Sequence, residues 1–143
     1  GRVNYGHKLF ADTQNKGIRT GVMADLHFLT DWSQYCLPLD SCEAVDYSRE
    51  WQPEQPSFYR YEVVLDEVED SFIDLSNFGK GVVFVNQVNI GRFWEVGPTL
   101  SLYIPKGLLK EGNNEIVIFE TEGTFQPEIQ LVKKPLYKEM KEG

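Results

Sequence analysis

Side chains able to do chemistry are scattered along this 143-residue chain. Carboxylates gather once, at Glu67, Glu69 and Asp70. Acid–base work by carboxylates needs two carboxyl groups held across the reacting atoms, one protonated and one ionised. An acidic run between two apolar segments lacks that geometry. It reads as a solvated turn, because carboxylates are seldom buried without partners. Glu115 and Glu120 flank an apolar run and fall near the ends of a strand, while Asp12, Asp25 and Asp31 have no visible partner. No catalytic residue is therefore assigned. His7 and His27 stand apart, with no cysteine or carboxylate at zinc-site spacing, and no Asp/Asn-rich loop of the EF-hand type is visible. No metal and no cofactor is expected. Cys36 and Cys42 either close a short loop or stay as two thiols. Nothing in the sequence demands an oxidising compartment, which favours the thiols.

What remains is recognition. A pyranose ring presents a patch of C–H groups that stacks on Trp or Tyr, with polar side chains taking its hydroxyls. Trp32, Trp51 and Trp94 all stand near loop signals. The competing use of such rings is core or interdomain packing, which is favoured for Trp94 because a large exposed apolar area is costly. Arg92, close by, either stacks on a ring or bridges a carboxylate, again a structural role.

Charge narrows the partners. Lys and Arg number 14 against 22 Asp and Glu, a net charge of −8. No basic cluster is present to neutralise phosphates, so nucleic acid is excluded, and an anionic membrane would repel the surface. No apolar run reaches membrane-spanning length, so no membrane insertion is expected. Neutral sugars remain compatible. No signal peptide is visible, but the chain opens in the middle of a pattern at Gly1 and looks cut from something longer. Its cellular location stays open.

The elements that must position these groups are strands. Phe58–Leu65 interleaves aromatic and β-branched residues with Arg60 and Glu62. Ser71–Leu75, Val82–Val85, Leu100–Ile104, Asn114–Glu120 and Ile129–Val132 follow, and Gly17–Asp25 and Tyr35–Leu39 are shorter apolar stretches. Glu115–Phe119 is almost continuously apolar, as a central strand covered on both faces would be. Glycine, proline and asparagine clusters break the chain at intervals of about ten residues, the spacing of an all-β sandwich or jelly roll. Helical signal is limited to Ser41–Trp51 and one turn at Gly107–Leu109. One domain over residues 1–134 is expected, with residues 135–143 a charged, frayed tail.

The densest pattern is Gly79–Phe119. Val82–Val85 reads as a buried strand, Asn86-Gln87 as the turn of a hairpin and Val88-Asn89-Ile90 as its return. Gly91 permits a bulge there. Arg92, Phe93 and Trp94 follow, and then the Gly97-Pro98 loop. This stretch resembles the C-terminal signature of family 35 β-galactosidases: a strand–turn–strand of the form GKGVVxVNGxNxGRYW, then GP and a short LYxP strand. The resemblance extends through Asn114–Glu120, upstream through Asp70–Leu75, and to the start of the chain, where Arg2-Val3-Asn4-Tyr5-Gly6 and Asn15–Ile18 match the family's RVNYG and DKGI elements. Three departures stand out: Gln87 in place of the usual glycine, Phe93 in place of tyrosine and Asn15 in place of aspartate.

The resemblance implies a jelly-roll β-sandwich of the galactose-binding-domain-like type. It implies a parent that is a retaining exo-β-galactosidase, with two catalytic glutamates about 5 Å apart in a separate barrel. The chain's partners would be that barrel, in the same polypeptide, and the parent's β-galactoside substrate. The chain itself would be inactive, supporting the barrel and shaping the edge of its sugar pocket. An independent carbohydrate-binding module and a purely structural or oligomerisation domain are the alternatives. Tyr5 either walls the pocket or packs the domain junction. Arg2, Asn4, Gly6, Asn86, Gly91, Arg92, Trp94, Gly97 and Pro98 are expected to build the fold, Asn and Gly because they tolerate unusual backbone angles.

Overall fold

The computed structural model describes Ile18 and residues 20–139. The chain forms two compact units, Gly1–Leu37 and Pro38–Gly143. In the first, β1 (Met23–Ala24) and β2 (His27–Phe28) make a minimal antiparallel hairpin. Asp25 and Leu26 turn it with φ of 45° and 66°, the mirror-image turn that suits strand twist. That turn cuts the strand expected over Gly17–Asp25 to two residues.

The second unit is a β-sandwich. Its larger sheet runs in the order β3 (Ser57–Leu65), β8 (Gly112–Glu120), β5 (Lys80–Val85), β6 (Val88–Trp94). The smaller sheet has β4 (Ser71–Asp74) between β7 (Ser101–Ile104) and β9 (Leu131–Val132). Every pairing is antiparallel. Among the described residues the only helix is a 3-10 turn, Lys106–Leu108, beside the turn expected at Gly107–Leu109. The all-β class predicted from the sequence is the class found.

Period-two alternation sorts the side chains of the large sheet. Val83, Val85, Ile116 and Ile118 point between the sheets and meet Ile73, Leu75 and Ile104 from the other side. Their neighbours Val82, Phe84 and Val117 point the opposite way into a second apolar cluster. The cover there is irregular chain: Leu39, Cys42, Val45 and Tyr47 pack against it. Both faces of β5 and β8 are thus removed from water, which is why their sequences lack the usual polar alternation.

Two expectations fail in this covering segment. Tyr35–Leu39 forms no strand, and Ser41–Trp51 forms turns instead of a helix. The Asp46 carboxylate accepts from the Ser48 N–H at 3.0 Å and the Ser48 hydroxyl at 2.6 Å. Such local bonding offers the backbone an alternative to the helical ladder. Near the C-terminus, Thr99 bridges Tyr137, and Leu100 N–H donates to Leu136 O at 2.8 Å.

Candidate functional site

The β5–β6 hairpin turns through Asn86 and Gln87, both at positive φ (46° and 71°). Asn86 tolerates this conformation, and its side chain does more than turn. Its Nδ2 donates to Leu108 O at 2.7 Å and Asn114 Oδ1 at 2.9 Å, while its Oδ1 accepts from Glu115 N–H at 3.0 Å. Asn114 is fully buried. It accepts from Lys110 N–H at 2.9 Å and donates to Lys110 O and Gly112 O at 2.7 and 3.1 Å. Gln87 stands where a glycine would sit without strain. Its amide joins two elements instead, accepting from Cys42 N–H at 2.8 Å and donating to the Glu115 carboxylate. Gly91, at φ 131°, follows a register shift in the β5–β6 pairing, the bulge its position suggested.

Beyond the bulge, Phe93 is buried against Phe78, and Trp94 turns outward, 41% exposed. Lys80 Nζ lies 5.6 Å and Arg92 Cζ 5.8 Å from the Trp94 ring centroid. Of the two uses open to Arg92, the ring is the one observed. Gly97 takes φ 76° before a cis peptide to Pro98, and Lys138 Nζ reaches back to Glu95 O at 2.9 Å. Arg2, Asn4, Tyr5 and Gly6 lie outside the described residues.

An open groove of about 1110 Å³ runs along the β3 side of the large sheet. Six aromatic residues line it, and three of their rings form one cluster. Trp51 and Phe125 are each 49% exposed, with ring centroids 5.6 Å apart, and Tyr59 lies 5.3 Å from Phe125. Trp51 Nε1 donates to the Tyr59 hydroxyl at 2.9 Å, which fixes the indole. Tyr61 donates to Gln126 O at 2.7 Å, and burial, then the neighbouring Tyr59, pushes its pKa up to about 12. Arg60 lies 4.8 Å above the Tyr47 ring. Burial is also the main reason that Tyr47 rises to about 12, with Cys42 and Glu115 adding to it and Arg60 opposing.

Residues 56–114 match the family described as β-galactosidase, galactose-binding domain. Three relatives extend the match: β-galactosidase 1 of Dictyostelium discoideum, 36% identical over 96% of this chain; β-galactosidase 17 of Arabidopsis thaliana, 33% over 85%; and β-galactosidase-1-like protein 2 of Homo sapiens, 31% over 94%. The chain belongs to the β-galactosidase galactose-binding domains. It spans only 22%, 20% and 22% of those three proteins.

The match contains Asn86, Gly91, Arg92, Trp94, Gly97, Pro98 and Asn114. In this galactose-binding domain the structure brings Asn86 and Asn114 into one polar network, and Arg92 and Trp94 into one stack. The carboxylates are engaged locally. Lys133 Nζ pairs with Glu69 at 2.9 Å. Asp70 accepts from Lys106 N–H at 2.9 Å, and that bond first, then the Tyr103 hydroxyl, holds its carboxyl below the usual range. Glu120 is fully buried, accepting from the N–H groups of Lys80, Glu122 and Thr124 at 3.1, 3.1 and 2.7 Å. It ends β8, where the sequence reading put it, and is buried there. The one signal was Gly79, where a Cβ would stand 2.8 Å from Glu120 Oε1. Cys36 is exposed and Cys42 buried, both as free thiols, and burial followed by the Glu115 charge raises the Cys42 pKa. No cluster of three metal-ligating side chains occurs among the described residues.

Proposed function

We propose that this galactose-binding domain is a non-catalytic part of a retaining β-galactosidase. It supports the barrel that carries the two catalytic glutamates and contributes Tyr5 to the edge of its sugar pocket. The observation that carries the reading is the coverage: nearly all of this chain aligns, yet it spans about a fifth of relatives named β-galactosidases. The chemistry in those names then belongs to the remaining four-fifths. The uses made of Glu69, Asp70 and Glu120 agree with this. Each is committed to a lysine, a backbone cap or a buried turn. A retaining dyad needs two carboxyl groups about 5 Å apart and free to reach a sugar.

The test is turnover of a chromogenic β-galactoside by the purified chain. The rate is expected to equal the buffer background. Hydrolysis abolished by substituting one of the chain's own carboxylates would overturn the reading.

A further inference from the structure

We propose that the outer edge of β3 pairs antiparallel with the β3 of a second copy of this chain, about a two-fold axis at Tyr61, so that the two four-stranded sheets become one. β3 stands at the end of the larger sheet, with β8 on one side and no strand on the other. It runs nine residues, Ser57–Leu65, with no proline and no break in its register to β8. Proteins usually blunt an edge of that length, because its unpaired backbone groups are a template for another strand.

The ladder fixes which groups those are. Thr121 N–H donates to Lys80 O and Asn86 N–H to Glu115 O, each at 2.8 Å, at the two ends of the β5–β8 pairing. Backbone groups alternate in direction along an antiparallel strand. The odd-numbered residues of β8 therefore bond to β5, and Asn114, Ile116, Ile118 and Glu120 turn theirs to β3. Their partners there are Val63, Tyr61, Tyr59 and Ser57. The N–H and C=O groups of Phe58, Arg60, Glu62 and Val64 are left facing outward. Among the described residues no backbone bond outside the ladder reaches them.

The same four residues are self-complementary about Tyr61. A two-fold axis there sets Phe58 opposite Val64 and Arg60 opposite Glu62, each pair twice, and each pair exchanges both backbone bonds. On the other face Tyr59 meets Val63, an aromatic against a β-branched side chain, which is a favourable cross-strand pair. Other registers fail. A slide of two residues sets Arg60 against Arg60 of the second copy, or Glu62 against Glu62, and like charges directly opposite are destabilising. A slide of one residue turns half of the bonding groups away from each other. The interface is isologous, the form that closes at a dimer.

Exposure agrees with the pairing. Arg60 and Glu62 are exposed, and Val64 is 71% exposed in the middle of a strand whose other apolar side chains are at least half-covered. The open groove borders the edge along Ser57–Tyr61, with Tyr47 on the side of Arg60, and Trp51 and Phe125 on the side of Tyr59. The second copy's Tyr61–Leu65 enters there. Exposed ion pairs contribute little energy, so Arg60 and Glu62 choose the register while backbone bonds and apolar pairs hold it. The net charge of −8 on each copy opposes the encounter, which makes association stronger once salt screens it.

The experiment is sedimentation equilibrium of the full 143-residue chain at about 0.15 M salt, with amide hydrogen exchange as a second readout. A concentration-dependent dimer is expected. The amides of Phe58, Arg60, Glu62 and Val64 gain protection as it forms, while those of Tyr59, Tyr61 and Val63, bonded to β8, are protected at every concentration. Arg60→Glu and Glu62→Arg are each expected to weaken self-association at least about tenfold, with circular dichroism unchanged. Mixing the two variants restores a dimer, because each then offers the charge that the other lacks. Val64→Pro removes an outward N–H, leaves the β8 ladder whole and is expected to weaken the dimer as well. Four results overturn the proposal. One is a monomer at every concentration up to about 1 mM. Another is a dimer in which the four outward amides exchange freely, which places the contact elsewhere. The third is a dimer indifferent to both charge reversals. The last is a folded pair of charge variants that fails to associate on mixing.

Discussion

Asn114 uses all of its hydrogen-bonding capacity inside the protein. Both of its Nδ2 hydrogens and two sites on its Oδ1 are engaged, with Lys110, Gly112 and Asn86 as partners. Replacing it with alanine removes no apolar packing of note but leaves one Asn86 Nδ2 hydrogen and the Lys110 backbone groups without the partner they have here. Unpaired buried groups cost more than the average hydrogen bond contributes. Asn114→Ala is expected to lower stability by about 2–3 kcal/mol in urea denaturation, with little change in slope. A loss under about 0.5 kcal/mol would mean that water replaces the side chain. Sequence reading reached this asparagine only as the first residue of the Asn114–Glu120 strand. Its partners come from the hairpin turn at Asn86 and from Lys110, and no local pattern ties those positions together. The same limit hid the burial of Glu120, which reads only as a strand-end carboxylate until Gly79 and three backbone N–H groups are seen around it.

Strand pairing in the large sheet depends on a close approach. A Cβ at Gly81 would lie 1.8 Å from Phe119 O, backbone that cannot move without parting β5 from β8. Gly107, in the 3-10 turn, has nothing within 4 Å of its Cβ position. Gly81→Ala is therefore expected to cost more than about 3 kcal/mol, while Gly107→Ala stays within about 0.5 kcal/mol of the original, both read from thermal melts. Equal effects would contradict the register described for these strands. Val82–Val85 and Glu115–Phe119 were legible because a short, nearly unbroken apolar run between turn residues is the pattern of a strand covered on both faces. Gly91 was legible for its missing side chain. The β1–β2 hairpin was not, because Asp25-Leu26 lacks the glycine that usually announces such a turn. The cover from Leu39 to Tyr47 was not either, since irregular chain has no period to read. The candidate groove was half legible. Trp51 stood out as an aromatic near loops, but its partners Tyr59 and Phe125 come from a strand and a distant loop.

The chain spans about a fifth of the length of its relatives, and the proposed function sets its functional surroundings in the remainder. Tyr5 is where the two would meet in the proposed arrangement, because the resemblance places the RVNYG element near the open face of the barrel. If the Tyr5 ring walls the sugar pocket, it acts on the reaction without belonging to the catalytic pair. It would offer a stacking face and one hydroxyl to the galactosyl ring, contacts that matter most as the ring flattens toward the transition state. Tyr5→Ala in the full-length enzyme is then expected to cost about 1–3 kcal/mol of transition-state stabilisation, or roughly ten- to a hundredfold in kcat/KM. Tyr5→Phe separates the two contributions, keeping the face and losing only the hydroxyl. The rival role, packing at the domain junction, has a different signature: a lowered melting temperature with kcat/KM unchanged for the enzyme that remains folded. Kinetics and melting on the same preparations decide between them. Unchanged kcat/KM in Tyr5→Ala would remove the pocket role, leaving the domain a support for the barrel.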